Sequence, residues 1–196
     1  MAPLVVILAG GESRRMGGGK PLRQLGGETL IERAVRLAGR WSDDVRLALR
    51  SSDQVPGASL PVLLDGQEIG GPLAGLASAL SAAKIGGRTH VLTLPCDMPF
   101  LPADLCARLA EAIGDHGVAI AASDGQLHPV CALWSTDASG ALDTYRSEGR
   151  RSLKGLAERV GMVAVEWPAE LFVNLNTPEE LAAAELRLRS EVENRD

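Results

Sequence analysis

The residues most able to do chemistry lie in one early loop, Leu8-Ala9-Gly10-Gly11-Glu12-Ser13-Arg14-Arg15-Met16-Gly17-Gly18-Gly19-Lys20. Five glycines and three cations are interleaved there. Bare backbone N–H groups and positive side chains can therefore converge on an anion, and a polyphosphate fits such a loop. It is not a Walker A loop: Arg14 stands where the first glycine is required, and Pro21 follows Lys20 where Ser or Thr would bind magnesium. Nor does a GxGxxG fingerprint follow the preceding apolar run. The plainer reading is a solvated turn with incidental charges. Its place directly after a buried strand favours the ligand, because disorder at that point is costly unless something organises it.

Asp97 lies between Pro95 and Pro99, so its carboxylate sits on a stiffened backbone just beyond a predicted strand. Hard cations are often held at such places, and magnesium commonly takes one or two protein carboxylates and completes its sphere with water and substrate phosphate. The alternative is a turn-capping aspartate. Asp65 has a similar position before Gly66, and alone it reads as a capping or turn residue. Cys96, beside Asp97, lacks a resolving partner and reads as packing rather than nucleophile. Asn174 and Asn176 alternate with apolar neighbours, so both amides should face one side of an extended segment and could read a flat heteroaromatic ligand; otherwise they bond the turn before the last helix. Arg150 and Arg151 follow Gly149 and suit either a phosphate clamp or a solvated helix entry. His128 has no carboxylate or serine at the spacing of a catalytic triad.

These side chains need a scaffold, and the sequence has the material for one. At 196 residues, 45% hydrophobic and 23% charged, one α/β-sized domain is expected. The formal charge of −5, with three Trp, one Tyr and two Phe, supplies neither the cationic field nor the stacking rings of a nucleic-acid binder. Three cysteines without a CxxC pair exclude a disulfide framework and a four-cysteine zinc site, and they point to a reducing cytosol. The apolar start, Leu4 to Ala9, is cut by glycines too soon for a signal core or a membrane span, so no membrane association is expected.

Leu4 to Ala9 reads as a central parallel strand buried on both faces. Thr29-x-x-Glu32 is a capping box opening a helix over about Leu30 to Arg40. Val45 to Leu49 and Pro61 to Leu64 are strands. Pro72 opens a small-residue helix to Ala83, His90 to Leu94 is a strand, and Pro102 to Ile113 is an amphipathic helix. Val118 to Ala122 and Pro129 to Trp134 form a hairpin about Ser123-Asp124-Gly125-Gln126, an antiparallel part of the sheet. Helices near Asp137 to Tyr145 and Leu153 to Val160 precede a strand at Met162 to Trp167. Thr177-Pro178-Glu179-Glu180 caps the last helix, and the charged tail after Leu188 should fray. The alternation implies a three-layer α/β sandwich on a Rossmann-like, mostly parallel sheet. Ligands in such folds sit beyond the carboxyl ends of the strands, where all of these candidate loops would meet.

Together these residues resemble the molybdenum cofactor guanylyltransferases, the MobA family within the nucleotidyltransferases of the nucleotide-diphospho-sugar transferase fold. The resemblance runs over nearly the whole chain: Leu8-Ala9-Gly10-Gly11-x-Ser13-x-Arg15-Met16-Gly17 with Lys20, Gly71-Pro72-Leu73-Ala74-Gly75, Cys96-Asp97-x-Pro99, His128-Pro129-Val130-x-Ala132-Leu133, and Asn174-x-Asn176-Thr177-Pro178-Glu179-Glu180-Leu181. It implies transfer of GMP from GTP to the terminal phosphate of molybdopterin, with magnesium as cofactor and pyrophosphate as product. It places Leu8, Ala9 and Gly10 at the guanine, Gly11 beside them among the nucleotide-binding residues, Arg15 and Lys20 at the triphosphate, Asp65 on the nucleoside side, and Asp97 at the metal. Asn174 and Asn176, with Arg150 or Arg151, would face the pterin. The implied organisation is one domain with a nucleotide half over about 1–100 and an acceptor half over about 101–188. The implied setting is the cytoplasm, with transient contacts to proteins that deliver molybdopterin and mature molybdoenzymes. Ala48 stands where the family often carries a nucleotide-contacting Asn, and the first loop is a residue shorter than in some relatives. A CTP-dependent transferase of the same fold and a non-catalytic GTP- or pterin-binding carrier are the alternatives. Lys20 together with Asp97 argues against the carrier.

Overall fold

The computed structural model describes residues 2–11, 18–64 and 71–193. The scaffold is a seven-stranded sheet in the order β5-β4-β1-β6-β8-β7-β9. Its strands are β1 (Leu4–Leu8), β4 (Val45–Leu49), β5 (Val62–Leu64), β6 (His90–Pro95), β7 (Val118–Ser123), β8 (Gln126–Ser135) and β9 (Met162–Glu166). β1 pairs in parallel with β4 and β6, β4 with β5, and β7 with β9, while β8 runs antiparallel to both neighbours. The mostly parallel sandwich read from the sequence is the observed fold, with β8 as its antiparallel member.

Alternate residues of β1 serve opposite layers, which explains its unbroken apolar run. Val5 and Ile7 pack with Ile31, Ala34 and Ala38 of α1 (Leu30–Ala38) and Leu105 and Leu109 of α3 (Leu105–Ala112). Leu4 and Val6 pack on the other face with α2 (Pro72–Ile85), α4 (Ala138–Ser147) and α5 (Leu153–Val160). A smaller cluster joins Leu25, Leu30, Leu175 and Ala184. It seats α6 (Pro178–Glu193) against a short hairpin of β2 (Gln24–Leu25) and β3 (Glu28–Thr29).

Local signals land where their chemistry requires. Thr29 accepts from the Glu32 N–H at 3.2 Å, while the Thr29 N–H donates to the Glu32 carboxylate at 2.8 Å. Thr177 and Glu180 form the same reciprocal pair at the start of α6, at 3.2 and 3.0 Å. The β7–β8 turn puts Asp124 at φ 48° and Gly125 at φ 74°, both left-handed, as a twist-matched two-residue turn demands.

Three features go beyond the expectations. The last helix extends past Leu188, through Glu193. The β2–β3 hairpin was not legible, its strands being two residues each. Within β8, Ile120 pairs with Ala132 but Ala121 pairs with His128, leaving 129–131 without partners on β7. Pro129 lies in this interruption, as befits a residue with no N–H for the ladder.

Candidate functional site

At the carboxyl ends of β1, β4 and β6 the sheet opens into a cavity of about 240 Å³. Leu8, Ala9, Gly10 and Gly11 form one wall, Pro95, Cys96 and Asp97 another, and Gly71, Pro72 and Gly75 bring the start of α2 to a third. Pro21, Ala48, Val130 and Asn174 complete the lining. The Ala9 N–H donates to the Ala48 carbonyl at 3.0 Å, which carries the β1–β4 pairing to the cavity's edge. The start of α2 borders the same space, and the positive end of its dipole there suits an anionic ligand.

Lys20 enters through a glycine turn. Gly18 and Gly19 adopt φ 84° and 62°, left-handed values that side chains resist, and a 3-10 turn over Lys20–Leu22 follows. This swings the lysine inward until it is 8% exposed. Its ammonium forms an ion pair with Asp97 Oδ2 and donates to Asn176 Oδ1 at 2.8 Å. The Leu175 N–H donates to the Asp97 carbonyl at 2.9 Å, fixing the segment before α6 against the β6 tip. Residues 20, 97, 174 and 176, from three distant stretches of chain, thus meet at one rim.

Among the described residues no three His, Cys, Asp or Glu side chains gather as a metal cluster. The donor chemistry here is one carboxylate beside space for an anion. That set suits magnesium, which completes its sphere from substrate phosphate and water, and does not suit an all-protein cage. Cys96 is no competing nucleophile: burial, with the neighbouring Asp97 charge, pushes its thiol up to about 12. Burial raises Cys131 as well, and its thiol contacts the Met98 sulfur at 3.5 Å. His128 is tied down, with Nε2 at 2.7 Å from Ser123 Oγ and its ring stacked on Phe172 at 4.7 Å. Burial lowers its pKa, so it is a neutral bracing group.

The sequence candidates divide accordingly. Leu8, Ala9, Gly10, Gly11, Asp97 and Asn174 line the cavity, and Lys20 and Asn176 join it through Asp97. Arg15 and Asp65 lie outside the described residues. Arg150 and Arg151 follow α4 at the same edge of the sheet but are absent from the cavity wall. Arg150 pairs with Glu148 at 3.5 Å and lies 5.6 Å from the Tyr145 ring, and Arg151 donates to the Arg146 and Arg150 carbonyls. Asn176, expected on the acceptor side, accepts a hydrogen bond from the lysine of the glycine loop. Sequence reasoning marked Gly71, Pro72, Gly75 and Val130 as motif residues but gave them no role in the site, whose wall they help form. The Gly71-Pro72 pair was its signal, since a glycine followed by an N1 proline marks a helix start, where the dipole favours an anion.

A family model described as MobA-like NTP transferase domain matches residues 5–165. A molybdenum cofactor guanylyltransferase of Cereibacter sphaeroides is 37% identical over 189 residues, spanning 95% of this chain and 97% of its own. One from Sinorhizobium fredii is 36% identical, covering 92% of this chain and 89% of its own. Among solved structures, the molybdopterin-guanine dinucleotide biosynthesis protein A of Archaeoglobus fulgidus superposes with a TM-score of 0.79 at 23% identity, over 95% of this chain and 98% of its own. The 2-C-methyl-D-erythritol 4-phosphate cytidylyltransferase of Thermus thermophilus gives 0.70 at 24% identity, over 96% of this chain and all of its own. These two likenesses establish the fold.

Proposed function

The chain belongs to the MobA-like NTP transferase domain family, and on that footing we propose that it transfers GMP from GTP to the terminal phosphate of molybdopterin. The observation that carries the reading is Lys20 meeting Asp97 at the rim of the cavity between the glycine strand end and the α2 N-terminus. A phosphate oxygen of the acceptor forms a bond to the α-phosphorus, the bond from that phosphorus to the bridging oxygen breaks, and pyrophosphate leaves. The nucleophile is already an anion, so no general base is needed, in keeping with a buried, braced His128. Catalysis then rests on in-line positioning and on cations set where charge accumulates.

The backbone of Gly10 and Gly11 approaches the base and ribose, the α2 N-terminus faces the phosphates, and the Lys20 ammonium neutralises the triphosphate. Asp97 would hold magnesium, which when bound screens the phosphate oxygens and polarises the reacting phosphorus. Asn174, exposed in the cavity wall, is placed to meet the acceptor. Arg15 is assigned to the triphosphate, Asp65 to the nucleoside, and Arg150 or Arg151 to the acceptor's phosphate by family likeness alone. We place the reaction in the cytoplasm, with transient delivery and maturation partners; no helix among the described residues is long and apolar enough to cross a membrane. We also read the chain as one domain, nucleotide half before acceptor half.

A CTP-dependent reading stays open because Ala48 lines the cavity where the family often carries a nucleotide-contacting Asn. A nucleotide panel of GTP, CTP, ATP and UTP with magnesium and molybdopterin, followed by identification of the dinucleotide, decides. We expect GTP to be preferred over CTP by about tenfold to a few thousandfold, because a few edge hydrogen bonds tell the bases apart. Comparable turnover with CTP removes the guanylyl assignment and leaves the nucleotidyltransferase. Binding without pyrophosphate release makes the protein a carrier.

A further inference from the structure

Lys20 has two oxygen partners of different character. Asp97 neutralises its charge, and Asn176 holds it at 2.8 Å without neutralising it. Their balance shifts when substrate and metal arrive. A carboxylate that shares its charge with a divalent cation holds an ammonium less strongly, and the two cations repel. Asn176 is then the protein oxygen whose hold on Lys20 is undiminished.

Its support is fixed from two directions. The Leu175 N–H is bonded to the Asp97 carbonyl at 2.9 Å, and the Asn176 N–H donates to the Glu180 carboxylate inside the cap of α6. The side chain therefore springs from a braced backbone, and its oxygen defines where the ammonium rests. We propose that Asn176 is a positioning residue for the nucleotide half of the site: it seats the Lys20 ammonium against the triphosphate once Asp97 is given over to metal. The inference rests on Lys20 as the triphosphate contact. It assigns to the nucleotide side a residue that family likeness would give to the acceptor, 156 positions from the lysine it serves.

A double-mutant cycle on GTP binding tests it. GTP affinity is measured by calorimetry on the full chain, in EDTA and in magnesium, for the wild type, Lys20→Ala, Asn176→Ala and the double variant. Molybdopterin KM and melting temperature are recorded alongside. A hydrogen bond to a charged group predicts about a ten- to hundredfold loss of GTP affinity for Asn176→Ala. Added to Lys20→Ala, the same change should cost less than about twofold, because groups acting through one another are not additive. An equal fold loss in both backgrounds, or a loss confined to molybdopterin KM, overturns the proposal, as does unchanged GTP affinity in Asn176→Ala. If Lys20→Ala itself leaves GTP affinity intact, the triphosphate reading of Lys20 falls instead. Asn176→Ser, which withdraws the oxygen from Lys20 but stays polar beside the cap, should reproduce the cycle and replaces the alanine variant if that one does not fold.

Discussion

Asp97→Asn removes one charge and keeps an oxygen able to accept from Lys20, so it separates the carboxylate's chemistry from its hydrogen bond. The side chains of Lys20 and Asp97 are 11% and 20% exposed, between a surface pair and a sealed one. Surface pairs contribute about 0–1 kcal/mol, and breaking a fully buried pair costs about 3–5 kcal/mol. With the hydrogen bond kept, about 1–2 kcal/mol is the expected loss, or a melting temperature lower by about 2–8 °C for a chain of this size. The loss of turnover should be far larger, about a hundredfold or more, because a charge-organising group at the phosphates is gone. Unfolding cannot supply that factor: a domain stable by about 5–15 kcal/mol stays folded after losing about 1–2 kcal/mol. The assay pairs pyrophosphate release at about 25 °C, with GTP, molybdopterin and magnesium saturating, with a melting curve of the free protein. Retention of more than about a third of wild-type turnover refutes the assignment of metal chemistry to Asp97. A collapse of the fold refutes its placement at an open strand tip.

Gly117→Ala should be severe, because its Cβ would lie 2.5 Å from the Val160 carbonyl oxygen and 2.6 Å from the Val160 Cβ. A cost above about 2 kcal/mol and a melting point lower by at least about 4 °C are expected, and a normal melting curve removes this contact as a constraint on β7–β9 pairing. Cys96, a neutral thiol held near pKa 12, should give no activity limb between about pH 7 and 10, and iodoacetamide at about pH 8 should leave turnover intact. Alkylation of Cys96 with loss of activity contradicts its burial. His128 has a folded pKa below its ordinary value, so its contribution is complete above about pH 6.5 and is lost as pH falls from there through the folded value. Melting temperature should therefore drop on acidification from about pH 7 to 5, and less in His128→Gln; an identical drop in that variant places the acid sensitivity elsewhere, His90 being the next candidate.

Sequence alone determined whatever is encoded within a few residues. The apolar run of β1 needs two covered faces, the Thr29–Glu32 and Thr177–Glu180 boxes start their helices, and Asp124-Gly125 closes a hairpin through backbone angles that few residues adopt. It also marked the glycine loop and the proline-flanked Asp97 as places for an anion and a cation, since those residue types carry their chemistry wherever they sit. Only the tertiary structure decided which of them meet. The pairing of Lys20 with Asp97 and Asn176 spans 77 and 156 positions, and it follows from strand order and from the return of the segment before α6 to the β6 tip. The interruption at 129–131 and the small hairpin about Gly26-Gly27 depend likewise on neighbours remote in sequence, so no local period announces them. Arg150 and Arg151 show the converse: their charge was legible, but its use is set by Glu148 and Tyr145 of their own turn and helix. Propensity and capping act over about four residues, whereas a site formed by several loops is closed by packing across the whole sheet.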